Sequence, residues 1–231
     1  MDFEPKDLRS RFILSEKQWK YLKDNNIWIT GGLLLKNILN EEWSSCPCED
    51  IDLIFQYNPD FDSMRKYFNT VLIPSSEMFY HAVQLFGYAT VLKQDTQSSY
   101  PDWLFRSVKY KCGDVTVNMI AVNCNPKDFI LKYFDFDFVK NLYNGRELFI
   151  SNKYSIENRK SKYYSPAVTG IYPVVNSLPP SNMFETNLDT VKIFNSNPYT
   201  IEFFTPYAKY VEDLKDKRSK KYQQRGFKIL S

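Results

Sequence analysis

WITGGLLLKNILN, residues 28–40, and EDIDLIF, residues 49–55, decide the fold. The first stretch opens with a short β-prone run, breaks at Gly31 and Gly32, and continues with good helix formers as far as Asn40. The glycines therefore mark a strand-to-helix turn. The chain has only seven glycines, so two together at a strand end call for a physical reason. Adjacent glycines let backbone approach a bulky group. The helix that follows adds free N–H donors and a positive dipole end, and together these suit a phosphate. The second stretch alternates as a strand, with Ile51, Leu53 and Phe55 on one face and Asp50, Asp52 and Ile54 on the other. Two carboxylates at i and i+2 share that face and repel unless a cation lies between them. Mg²⁺ takes carboxylate oxygens together with substrate phosphates, so a metal–nucleotide complex gives both stretches a reason. The competing explanation is a strand whose acids simply face water.

Outward from this pair, SEKQWKYLKDNN reads as a short amphipathic helix capped by Ser15, with Trp19 and Leu22 at helical spacing. DFDSMRKYFN reads as a helix with an acidic start. HAVQLFGYATVL fits either helix or strand. WLFRSVKYKCGDVTVNMIAVN is a hairpin turning at Gly113-Asp114. NPKDFILKYF starts a helix with Asn125 as N-cap and Pro126 in the first position. FDFDFVKNLYNGRELFIS reads as a second hairpin turning at Asn144-Gly145. Periodicity weakens over 151–206, where Pro and Asn recur. The last helix, PYAKYVEDLKDKRSKKYQQRGF, is strongly charged and stops at Gly226. The expected organisation is a core over 1–150, an irregular wrapping segment over 151–206, and a basic C-terminal helix over 207–231 packed on the core.

Composition narrows the chemistry. With 231 residues, 43% of them apolar, the chain can bury a sizeable core. Its 18 Phe and 17 Tyr reflect AT-rich codon usage or, alternatively, a base-stacking surface. A net charge of +3 is too small to mark a nucleic-acid binder by itself. No apolar run approaches the ~20 residues of a membrane span, and MDFEPKDLRSRF lacks a signal core. A soluble, intracellular protein with no membrane partner is expected. Cys46, Cys48, Cys112 and Cys124 suit neither a disulfide framework nor a zinc site. The lone histidine, His81, has no nucleophile-elbow residues beside it, which argues against a triad hydrolase.

The combination of Gly-Gly at a strand end, a helix, and an apolar-Asp-apolar-Asp-apolar strand resembles the nucleotidyltransferase superfamily of DNA polymerase β and the CCA-adding enzymes. GGLLLKNIL, EDIDLIF, VNMIAVNCNPKDFILKYFDFDFVKNLYNG and KYQQRGFKI are most similar to compact nucleotidyltransferase-like proteins of large DNA viruses and phages. The resemblance covers about half the chain, over 28–56, 115–145 and 218–229. It implies an α/β (α+β) fold, with a short mixed sheet of nucleotidyltransferase type, flanking helices and an irregular C-terminal extension. It also implies that Gly31 and Gly32 contact a nucleoside triphosphate and that Asp50 and Asp52 hold Mg²⁺ or Mn²⁺. The implied reaction is attack of a hydroxyl on the α-phosphate with release of pyrophosphate. A viral or phage origin is implied as well.

The pattern departs from the superfamily in three places. The third acid expected on a neighbouring strand falls at Asn118, which supplies neither negative charge nor a base. Asp135 or Asp137, in FDFDF, would have to replace it from another direction; otherwise they are acids facing water. The arginine expected three residues after the second glycine is Leu35, with Lys36 next to it as a substitute point charge. Thr30 is the nearest hydroxyl to the turn. The basic run Lys217, Arg218, Lys220 and Lys221, with Tyr222 to stack, is a candidate nucleic-acid contact or simply a solvated face. Two functions follow as expectations: an active metal-dependent nucleotidyltransferase, or a catalytically impaired module of the same fold that binds a protein or nucleic acid or serves as a virion-associated structural component.

Overall fold

The computed structural model describes residues 5–44, 50–57, 69–94, 105–122, 124–164, 213 and 215–230. Two N-terminal helices, α1 (Pro5–Arg9) and α2 (Glu16–Asp24), precede β1 (Trp28–Thr30), α3 (Gly31–Leu39) and β2 (Asp50–Gln56). Then come α4 (Asn69–Phe86), β3 (Thr90–Gln94), β4 (Phe105–Cys112), β5 (Val115–Val122) and α5 (Pro126–Tyr133). A 3₁₀ turn at Asp137–Val139 leads to β6 (Asn141–Tyr143), β7 (Leu148–Ile150), α6 (Lys153–Glu157) and β8 (Lys160–Lys162). A last helix, α7 (215–224), and β9 (Lys228–Leu230) end the described chain.

Seven strands form one mixed sheet in the order β3-β4-β5-β2-β1-β6-β7. Only the central β2–β5 pair is parallel; its other neighbours are antiparallel. This is a mixed α/β fold with helices flanking a mixed sheet, as the alternation of strand and helix patterns predicts. β8 and β9 pair separately, in parallel.

The period-2 pattern of β2 sorts its side chains as read from the sequence. Ile51, Leu53 and Phe55 enter the main core with Val117, Met119, Val108 and Tyr110, against Trp19, Leu22, Met78, Ala82 and Leu85 of α2 and α4. On the opposite face Ile54, Ile120 and Val122 pack under Phe129, Ile130 and Tyr133 of α5. That face is therefore apolar toward the end of β2, where α5 covers it. At the start of β2 the same face carries Asp50 and Asp52.

Local signals behave as expected at several ends. Ser15 and Gln18 make a reciprocal capping box on α2, and Asn125 caps α5 ahead of Pro126. β4 and β5 turn at Gly113-Asp114, with Cys112 opposite Val115. His81 is buried, hydrogen bonded through Nδ1 to the Tyr21 hydroxyl at 2.9 Å and set edge-on to Phe55, so it is a core residue. Burial pushes the Cys112 thiol up to about 11, which leaves it unreactive at neutral pH. HAVQLFGYATVL divides between the end of α4 and β3.

FDFDF does not join the second hairpin. β6 and β7 do pair around Asn144-Gly145, but 137–139 coil into a 3₁₀ turn. That turn puts Phe136 and Phe138 into the core together, stacked at 5.1 Å with rings 9° from parallel. Lys153–Glu157 and Lys160–Lys162, expected to be irregular, form α6 and β8. The remainder of the expected wrapping segment from 165 onward, the helix expected over 60–69 except for Asn69, which opens α4, and Cys46 and Cys48 lie outside the described residues.

Candidate functional site

The turn between β1 and α3 and the start of β2 are in direct contact. Gly31 has φ +75°, a backbone conformation in the left-handed region that disfavours any Cβ. A Cβ there would also run into the Asp52 carboxylate, lying 3.0 Å from its Cγ and closer still to Oδ2. The first glycine and the second aspartate are thus two halves of one feature. β1 and β2 enforce it, because Thr30 stands opposite Asp52 in their antiparallel register.

Thr30 is fully buried, and its hydroxyl donates to the Asn141 carbonyl at 2.8 Å. It makes no side-chain cap on α3. The first N–H groups of α3 therefore lack the usual hydroxyl partner at the point where the helix dipole is positive. Lys36 sits about 7.5 Å further along the helix axis, at 1.5 Å per residue, and pairs with Glu42 at 2.6 Å. It is directed to the α3–β2 connection. Leu35, at the place of the expected arginine, is fully buried.

Across the sheet a row of polar residues runs in register, Thr30–Asp52–Asn118–Lys109, one from each of β1, β2, β5 and β4. Asn118 Nδ2 donates to Asp52 Oδ1 at 2.9 Å, and Asn118 Oδ1 accepts from Ser107 Oγ at 2.6 Å. A carboxylate only accepts, so the amide must turn its NH₂ toward Asp52 and its oxygen toward Ser107. The Lys109 ammonium reaches diagonally to Asp50 Oδ2, forming an ion pair. Burial raises the pKa of Asp52, the Asn118 hydrogen bond opposes that rise, and the neighbouring Asp50 charge adds to it. Ser107 and Lys109 escape the sequence reading. The signal was present in the β4–β5 hairpin, whose register puts Lys109 opposite Asn118.

Among the cations of α7, Lys217, Lys220 and Lys221 are exposed and Arg218 is half-buried. Lys221 and Arg218 act on Asp52 through space and favour its charged form. Arg218 also forks the carboxylate of Asp135, with Nη2 3.0 Å from Oδ1. Asp135 is buried, and this bond ties it to the edge of the acid site. Asp137 is held elsewhere, by Lys140 at 3.2 Å and by the Tyr164 hydroxyl at 3.1 Å. Tyr222 is not available to stack a base. Its ring is buried 4.9 Å from that of Phe138 and 5.2 Å from that of Phe136. An aromatic in a basic run reads as a stacking platform, but here helical spacing turns it inward as the anchor of α7. Arg225, one turn on, stacks 4.4 Å over Trp43 in the α3–β2 connection. That contact holds the helix beside the acids.

The donor set suits one divalent cation bound with phosphates. Asp50 and Asp52 offer hard carboxylate oxygens on one face of a strand, next to the glycine turn. Among the described residues no group of three or more His, Cys, Asp or Glu converges. The third position of the row is the NH₂-presenting Asn118.

No protein-family model matches the chain, and no curated protein matches it. Three chains of solved structures match. One is a CCA-adding enzyme in complex with CTP, with a TM-score of 0.40 and 11% sequence identity over 70% of this chain and 33% of that one. The chain thus spans about a third of that enzyme's length.

Proposed function

We propose that this chain binds a metal–nucleoside triphosphate complex at the glycine turn and acts as a nucleotidyltransferase-like protein, of the compact kind found in large DNA viruses and phages. The observation that carries this reading is the packing of Gly31, at the start of an uncapped helix, directly on Asp52, with Asp50 on the same face. Backbone N–H groups of α3 bind the phosphate oxygens. Asp50 and Asp52 hold Mg²⁺ or Mn²⁺ against the same phosphates. The metal, when bound, neutralises phosphate charge and polarises the α-phosphorus for attack. Lys221 and Arg218 line the approach from α7 and offset charge on the leaving pyrophosphate. The acceptor is a hydroxyl on a nucleic acid or a protein, and the exposed Lys217 and Lys220 suit a nucleic-acid backbone.

A second reading, nucleotide binding with impaired transfer, is favoured by one observation. Asn118 offers an amide N–H₂ where a third carboxylate would be needed to activate the attacking hydroxyl. The test is incubation of the chain with α-labelled nucleoside triphosphates, Mg²⁺ and a mixture of RNA, DNA and protein acceptors. Label transferred with release of pyrophosphate, and lost in Asp50→Asn and Asp52→Asn, supports the first reading. Retained nucleotide without transfer supports the second. Transfer undiminished in both variants contradicts the site.

A further inference from the structure

We propose that the acid pair takes one divalent cation and not two, the Lys109 ammonium being a built-in cation in the place of the second. This rests on the nucleotide reading above. A two-metal clamp holds its ions roughly 3.5–4 Å apart and needs anionic ligands on both the attacking and the leaving side. Here the sheet itself decides what lies on each side. On one flank of Asp52 is the glycine turn, with Gly31 packed directly on the carboxylate. On the other flank stand Asn118 and then Lys109, in register on β5 and β4.

Both residues work against a cation on that flank. Asn118 turns its NH₂ toward Asp52, so it presents positive hydrogens, and its oxygen is engaged by Ser107 at 2.6 Å. Reversing the amide would set its oxygen against the Asp52 carboxylate and cost the hydrogen bond. Lys109 already neutralises Asp50. Its stem rises from the middle of an eight-residue strand paired on both sides, so the ammonium is delivered by a fixed part of the sheet. The two carboxylates and the ammonium together keep one negative charge, enough for one divalent cation shared with a triphosphate. A lysine ammonium supplies charge but carries no water ligand and activates no nucleophile. Lys109 thus completes the electrostatics of the nucleotide site while leaving its attacking side without a metal.

The test counts metal. The full-length chain is dialysed to equilibrium against Mn²⁺ and saturating α,β-methylene ATP, and the bound Mn²⁺ per chain is measured by electron paramagnetic resonance. The expected result is one Mn²⁺ per chain for wild type and two for Lys109→Met/Asn118→Asp. Lys109→Met alone, which leaves the Asn118 network in place, is expected to gain a second, weaker site and keeps the comparison if the double variant fails to fold. Two Mn²⁺ in wild type, or one in the variants that fold, overturns the role of Lys109 and leaves nucleotide binding standing. No Mn²⁺ and no nucleotide retained by wild type overturns both.

Discussion

The Asp52 carboxylate stands where Gly31 would carry a Cβ, and the glycine's φ of +75° would strain any other residue. Gly31→Ala is therefore expected to cost about 3 kcal/mol. Roughly 1–2 kcal/mol comes from the left-handed backbone and the rest from pushing Asp52 aside. Gly113→Ala is the control. It shares a positive φ of +63° but has nothing within 4 Å of an added Cβ, so only the backbone cost applies. Urea denaturation of the two variants should differ by about 1–2 kcal/mol. Equal losses would mean that the Gly31–Asp52 contact does not constrain the fold.

Asp52→Asn should stabilise the chain while removing its ligand. Burial raises the Asp52 pKa above its ordinary 3.8, so the folded state holds this proton more tightly than the unfolded state. Below 3.8 both states are protonated and the substitution changes little. As pH rises, the unfolded chain ionises first, and wild type loses stability until Asp52 itself has ionised. The gain from Asp52→Asn is thus absent at low pH and grows as pH rises above 3.8. Urea midpoints of both proteins from pH 3.5 to 8 measure it; a gain that shrinks with rising pH would refute the assignment.

Arg218 and Asp135 form a forked pair whose acid is 5% exposed and whose guanidinium is 42% exposed. Arg218→Met strands a buried carboxylate and should cost about 2–3 kcal/mol. Arg218→Met/Asp135→Asn should recover most of that. A double-mutant cycle by thermal or urea unfolding gives the coupling, and additive losses would show the pair to be incidental.

The electrostatic link of Lys221 to Asp52 predicts different effects from neighbouring lysines of α7. Lys221→Ala should weaken metal–nucleotide binding about fivefold, the equivalent of ~1 kcal/mol for one partly screened charge. Lys217→Ala should leave it unchanged and instead reduce the salt dependence of any nucleic-acid binding. Equal effects on nucleotide affinity would contradict the orientation of the helix.

Much of this architecture was legible in the chain because period and turn chemistry are local signals. The alternation of 50–55 assigned both faces of β2, and the glycines and Asn125-Pro126 marked helix starts. The parallel β2–β5 register then carries Asn118 to Asp52. What local pattern does not encode is which distant groups converge. Lys109 reaches Asp50 from 59 residues away, and Arg218 reaches Asp135 from 83. Tyr222 was misjudged because a basic helix with one aromatic looks the same whether the ring faces solvent or anchors the helix. Only the aromatic cluster of Phe136, Phe138 and Phe227 decides between them. FDFDF fits a strand by alternation, but tertiary packing of its two inner phenylalanines bends it into a 3₁₀ turn.

The central claim, a metal–nucleotide site at the glycine turn, is tested most directly by calorimetric titration of the four nucleoside triphosphates with and without Mg²⁺. Wild type is compared with Asp50→Asn/Asp52→Asn. Binding should require Mg²⁺ and disappear in the double variant while the fold persists. Binding that survives in the double variant, or no binding to wild type at any metal concentration, would contradict it.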